Sequence, residues 1–211
     1  MKPKKLSCVD CGSIHCDTRK SKYPLFCQTT ELPEAEKEWL MAEYAKPENQ
    51  RVMQQAACVE YEGYGHLTRV AETIEFAKKM GVHKIGIATC AGLIRESRML
   101  ARILRSHGFE VYGTACKAGA IPKHEVGIDP VCEKIGPSMC NLIFQARQLE
   151  REQTELNVVV GLCVGHDSLF YRYSHTLTTT IVVKDRVTGH NPAAVLYTSE
   201  SYYEKIYGEE E

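Results

Sequence analysis

The stretch KIGIATCAGLIRESRMLARILRSHGFEVYGTAC, Lys84 to Cys116, decides the fold. KIGIAT (84–89) is a short apolar run of strand length, and FEVYGTA (109–115) is a second, carrying β-branched and aromatic residues. Between them AGLIRESRMLARILRSH is amphipathic at helical spacing and stops at Gly108. A strand, a helix of ten or more residues and a strand imply a βαβ unit whose two strands run parallel. The rhythm continues toward the C-terminus. CNLIFQARQLEREQ reads as a helix, LNVVVGLCV (156–164) as the third strand, HDSLFYRYS as a short helix and TTTIVVKD (178–185) as the fourth strand. A Gly- and Pro-rich loop runs from Lys117 to Ser138, and a last short helix begins at Pro192. Right-handed crossovers leave only a few orders for such a chain. The expected class is α/β, a doubly wound, mainly parallel sheet of about four strands.

Upstream of this region the pattern is helical. EAEKEWLMAEYA follows Pro33, ENQRVMQQAACVEYEGYG follows Pro47, and TRVAETIEFAKKM has Thr68 as its N-cap and Gly81 as its stop. Residues 1–31 have little apolar periodicity but hold Cys8, Cys11, Cys16 and Cys27, four of the ten cysteines. The expected organisation is a cysteine-rich metal-binding module (1–31) ahead of an α/β domain with leading helices (32–211).

Composition narrows the function. A formal charge of −1 argues against nucleic acid as a partner. The biased tracts KPKK (2–5) and GEEE (208–211) read as solvated ends. No apolar run is long enough to span a membrane, and the first lysines lead into Ser7, Cys8 and Asp10 rather than a signal-peptide core. The expected location is the cytoplasm, where thiols stay reduced unless a metal or chemistry claims them.

The later cysteines fall at equivalent places in the topology. Cys90 follows the first strand, Cys116 the second, and Cys163 ends the third, while Cys140 opens the helix that feeds the third. In a parallel sheet all strand C-termini share one edge, and ligands bind there. Buried cysteine is common as core filler, but four at one rim favour a shared site. His166 and Asp167 follow Cys163 directly, and Lys184, Asp185, Arg186, His190 and Asn191 follow the last apolar run. Of these, His166, Asp167, Lys184 and Arg186 are candidates to contact substrate or donate protons. Cys132 is a fifth ligand, a substitute or a bystander, and Cys58 reads as structural. No nucleotide-binding glycine motif is present.

In the N-terminal module C-x2-C-x4-C-x10-C supplies four thiolates, with Gly12 in the knuckle turn. Tetrahedral zinc fits the CxxCG pair, with His15 able to replace one cysteine. A single CxxC with uneven spacing also fits an iron–sulfur cluster. Both metals remain open for this site.

CVDCGSIHC with KYPLFC, GYGHLTRVAETIEFAKKMG, IGIATCAGL, CNLIFQA, GLCVGHDSLF and VVKDRVTGHNPAAVLY together resemble a prokaryotic family of uncharacterised cysteine-rich proteins, a domain of unknown function described as metal-binding. The resemblance covers nearly the whole chain and implies metal binding through the cysteines, with no reaction attached. The strand-end cysteines also resemble, at the level of architecture, the α/β domains of carbon monoxide dehydrogenase and hybrid-cluster proteins.

The leading expectation is an iron–sulfur protein with one or two 4Fe-4S clusters. Cys90, Cys116, Cys140 and Cys163 would hold a cluster at the rim, and Cys8, Cys11, Cys16 and Cys27 a metal in the module. Such a protein would take an electron donor or reduce a small molecule. The alternative is a non-catalytic protein with zinc at the N-terminal site, whose rim thiols sense, carry or deliver metal. A third reading makes Cys163 a nucleophile activated by His166.

Overall fold

The computed structural model describes residues 5–18 and 22–208. Apart from Lys5 and Gly208, the terminal tracts expected to be solvated lie outside the described residues. The chain divides into two compact units, Met1–Ala57 and Cys58–Glu211.

In the first unit a single 3-10 turn, Cys8–Asp10, precedes helix α1 (Glu34–Tyr44). α1 buries none of its residues. Helix α2 (Pro47–Gly63) begins in this unit and crosses into the second. Asn49 Nδ2 donates to the Glu43 carbonyl at 2.9 Å, which fixes the turn between the two helices.

The second unit is the α/β domain. Helix α3 (Arg69–Lys79) is capped by Thr68, whose Oγ1 accepts from the Ala71 N–H. Strand β1 (Lys84–Thr89), helix α4 (Ile94–Ser106) and strand β2 (Glu110–Ala115) form the βαβ unit that the sequence predicts. Helix α5 (Leu142–Arg151), strand β3 (Leu156–Val160), helix α6 (His166–Tyr173) and strand β4 (Thr178–Val182) complete the sheet, and helix α7 (Ala193–Tyr197) follows. All pairings are parallel and the strand order is β2-β1-β3-β4.

Alternation along the strands sorts the core into two layers. Ile85, Ile87, Leu156, Val158 and Val160 pack beneath α3 and α4 with Ile74, Leu100 and Leu104. Ala88 and Val159 face the other way, against Leu142, Ala146 and Leu149 of α5 and Phe170 of α6. Every residue of β3 is buried, as expected of a central parallel strand with both faces covered. The chain leaves β1 for β2 on one side and returns past β1 to β3 on the other. The order therefore reverses between β1 and β3, and the crevice at their C-terminal ends is the topological switch point.

Two strands stop earlier than the sequence suggests. β3 ends at Val160 rather than at 164, because Gly161 turns the chain to φ +65°. Cys163 consequently lies beyond the strand, in the turn leading to α6. β4 ends at Val182, and its pairing with β3 shifts register between Val159 and Val160.

Gly161 is required twice over. Its φ suits glycine, and a Cβ there would come within 1.9 Å of Leu93 Cδ1. Gly127 has φ +72° but open space around it. Gly161→Ala should therefore cost ~2–5 kcal/mol, from left-handed strain plus overpacking, and Gly127→Ala only ~1–2 kcal/mol. Urea unfolding of both variants checks this. Equal losses would show that the contact with Leu93 is not a constraint.

Candidate functional site

Short backbone bonds bring three loops together at the C-terminal edge of the sheet. The Cys90 N–H donates to the Val160 carbonyl at 3.1 Å, and the Cys116 N–H donates to the Thr89 carbonyl at 2.8 Å. The Cys116 carbonyl accepts from the Asn141 N–H at 2.7 Å. Asn141 is also the N-cap of α5, its Oδ1 accepting from the Phe144 N–H, so Cys140 hangs just outside the helix rather than within it. Gln145, fully buried one turn into α5, donates from Nε2 to the carbonyls of Thr89 (3.1 Å) and Thr114 (2.7 Å). It ties the helix to both strand ends that carry the cysteines.

The result is a chain of thiols. Cys116, 3% exposed, hydrogen-bonds on one side to Cys90 and on the other to Cys140, and its Sγ accepts from the Ala91 N–H at 3.3 Å. These contacts divide the protons unequally. The bond from Cys116 lowers the Cys90 pKa to about 5, helped by the Gly92 N–H and the charge of Lys184 against the opposing effect of burial. Cys140 falls to about 3 through Cys116, then His166 and Lys117. Cys116 moves up, chiefly through its hydrogen bonds to Cys140 and then to Cys90, with burial and the charge of Cys140 adding to the effect. The shifts thus favour the charged form at Cys90 and Cys140 and the protonated form at Cys116.

Cations surround this cluster. His166 touches Cys140, which raises its pKa above the ordinary imidazole value. Lys117 donates to the Ser138 carbonyl and hydrogen-bonds Cys140. Lys184 lies beside Cys90: a Cβ built on Gly92 would be 3.6 Å from Lys184 Nζ and 3.8 Å from Cys90 Sγ. Arg186 donates from Nη2 to Cys163 Sγ at 3.0 Å, and its own charge state is further favoured by Cys90 and Cys140. Cys163 therefore joins the other three through Arg186 rather than by sulfur contact. Its carbonyl accepts from the N–H groups of His166 (2.9 Å) and Asp167 (3.0 Å), fixing the start of α6. Asp167 accepts from the Ser168 N–H at 2.8 Å and contributes its charge to His166.

The loop after β4 is rigid for a reason not visible in its composition. The Asp185 carboxylate accepts from the N–H groups of Val187 and Thr188, while the Asp185 N–H donates to His190 Nδ1 at 3.1 Å. Asp185 and His190 shape the loop that presents Lys184 and Arg186. Lys117 and Gln145 were not singled out by the sequence reading. Lys117 follows a strand-end cysteine and had the same positional signal as His166, whereas a glutamine within an amphipathic helix carries none.

The remaining cysteines are dispersed. Cys132 is exposed in a 3-10 turn, and Cys58, read from the sequence as structural, is exposed on α2. In the first unit the Cys11 N–H donates to the Cys8 carbonyl at 3.2 Å, closing the CxxC turn, and Asp10 accepts from the Ser7 N–H at 2.9 Å. Cys27 is buried, and its pKa is lowered chiefly by the Thr30 N–H, with Thr29 assisting. Among the described residues, no three Cys, His, Asp or Glu side chains surround a common point suited to a metal ion.

The chain belongs to the family described as protein of unknown function (DUF1847), which matches residues 27–181. That span contains the rim cysteines and Cys27 but not Cys8, Cys11 or Cys16. An uncharacterized protein of Methanocaldococcus jannaschii, MJ0455, is 45% identical over 166 residues, 79% of this chain and 84% of that protein. No solved structure matches the chain. Among the described residues no helix is long and apolar enough to cross a membrane.

The thiol chain has a measurable pH signature. With the Cys90 pKa depressed to about 5, its thiolate predominates above that value. Alkylation of Cys90 in metal-free, reduced protein should reach its plateau rate near pH 6, whereas an ordinary thiol accelerates up to about pH 8.5. The sign for stability follows. The thiolate's contribution is complete above the unfolded thiol pKa and is lost as pH falls through about 5. Cys116→Ala should move the alkylation profile toward that of an ordinary thiol. A Cys90 rate still climbing at pH 8 in the unsubstituted protein would contradict the thiol chain.

Proposed function

We propose that the rim is a thiolate-ligated metal centre that holds an iron–sulfur cluster, and that the protein is a redox protein, transferring electrons or reducing a small molecule. The observation that carries this reading is the contact of Cys90, Cys116 and Cys140 at the sheet's C-terminal edge. Two half-buried cysteines with lowered pKa values on either side of a buried third are a poor choice for mere core filling, since negative charge on each disfavours the other. As a donor set they suit a thiophilic metal, and Cys163 supplies a fourth sulfur at the same edge. When bound, such a cluster supplies one-electron chemistry.

The surrounding residues have roles consistent with this. Lys184 and Arg186 balance the negative charge of four thiolates. Arg186 holds Cys163 in position. His166, its pKa raised by the hydrogen bond with Cys140, would give a proton to a substrate, and Asp167 supports its charged form. In the first unit, the closed CxxC turn and the Cys27 thiol, its pKa lowered chiefly by the Thr30 N–H, favour a separate metal-binding module, with zinc or a second cluster as occupant.

One contact favours a second reading. His166 against Cys140 adds a nitrogen donor to the sulfurs, and a mixed Cys/His set suits zinc. The rim would then carry or deliver metal without catalysis.

Anaerobic purification with counts of iron, sulfide and zinc separates the two. The cluster reading expects iron with matching sulfide and a broad visible absorbance that bleaches on reduction. Cys163→Ala should remove part of that absorbance and leave the N-terminal site loaded. Colourless protein with zinc alone and titratable rim thiols would overturn the cluster in favour of zinc handling. For the module, ligand bonds to zinc supply an apparent ~10–16 kcal/mol in comparable small sites. Cys11→Ser should therefore release metal and expose residues 1–31 to protease; unchanged metal content and unchanged proteolysis would remove the module from the account.

A further inference from the structure

We propose that the groove between α4 and the edge strand β2 binds an organic polyphosphate of nucleotide or coenzyme size. This site is separate from the cysteine rim and does not depend on the function proposed for it. The groove has a volume of about 780 Å³, inside the ~300–1,000 Å³ range of small-molecule sites. Its floor is sheet. Val111, Gly113 and Ala115 alternate onto the α4 face of β2, and β2 is an edge strand. Gly113 keeps that floor low, and the apolar side chains around it offer no partner to a free anion.

The wall opposite is cationic. Arg95, Arg98, Arg102 and Arg105 of α4 all line the groove and are all exposed. Spacings of three and four put them in one row, ~15 Å long at the rise of an α-helix. Like charges so placed repel one another. Among the described residues no carboxylate pairs with Arg95, Arg98 or Arg102. Arg105 gives only a hydrogen bond from Nη2 to the Val111 carbonyl at 3.0 Å, which draws its guanidinium across to the strand. A polyanion would relieve the repulsion, and guanidinium forks bind phosphate in bidentate fashion and stack on flat rings.

Row and floor together specify the ligand. Inorganic phosphate would satisfy the arginines and leave the apolar floor unused. A nucleic-acid backbone would spread its charge over the surface rather than enter the groove, and a formal charge of −1 provides no field to attract it. An acidic polypeptide would use the arginines but not the apolar floor of Val111, Gly113 and Ala115. A molecule with two or three phosphates and an apolar or aromatic body uses both.

The test is calorimetric titration of the full-length protein, at roughly physiological salt, with ATP and coenzyme A. Inorganic tripolyphosphate and poly-glutamate serve as comparators. At least one of ATP and coenzyme A should bind saturably at one site per chain, about tenfold or more tighter than tripolyphosphate. Arg98→Gln with Arg102→Gln should weaken that binding by at least about tenfold. Gly113→Val should weaken it as well while leaving tripolyphosphate unaffected. A Cβ at Gly113 would stand 3.7 Å from Ile87 Cβ, so the strand accepts the side chain. Absence of saturable binding by both organic ligands, or binding that survives the arginine substitutions, overturns the proposal. Tripolyphosphate binding as tightly as ATP would make the row an ion-attracting surface. Tighter binding of poly-glutamate would make it the dock of an acidic protein.

Discussion

A thiol held between two thiolates is the interaction on which the rest of this site depends. Cys116 hydrogen-bonds to Cys90 and to Cys140, and it is the largest of the influences that lower the pKa of each. Nothing in the covalent chain puts these residues together. They meet because parallel strands finish on one edge, and because backbone bonds from Cys116 reach both Thr89 and Asn141. Gln145 holds the same strand ends from within α5. Packing between α5 and the sheet and the electrostatics of the rim are therefore one mechanical unit. A loss of order in α5 would loosen the thiols as well as the core.

Charge placement then follows from position. Each cation at the rim comes from a segment immediately after a strand: Lys117 after β2, His166 after β3, and Lys184 and Arg186 after β4. Such segments start at the sheet's edge with exposed backbone and side chains free to turn inward. The charges facing the sulfurs are positive except for Asp167, which acts on His166, and Asp185, whose carboxylate is taken up by backbone N–H groups. The field is suited to stabilising negative sulfur.

The architecture was legible because its signals are periodic. Strand-length apolar runs alternating with amphipathic helices specify parallel β-structure, and the spacing of Cys90, Cys116 and Cys140 against those runs located them at one rim. Strand ends were less legible. GLCV continues the apolar pattern of β3, and only the left-handed backbone at Gly161 shows where the strand turns. Residues that act by hydrogen-bonding to backbone, such as Gln145, Asp185 and His190, have no periodic signature at all. The arginine row of α4 was visible as a polar helix face. Its neighbour across the groove, the small-residue face of β2, became apparent only in three dimensions.

The central claim is that Cys90, Cys116, Cys140 and Cys163 ligate one metal centre. Anomalous diffraction at the iron edge, from crystals grown without oxygen, tests it most directly. The account predicts an anomalous peak at the C-terminal edge of the sheet, surrounded by those four sulfurs. Sulfurs of Cys90, Cys116 and Cys140 still in direct contact, with no metal peak among them in protein that carries iron elsewhere, would contradict it.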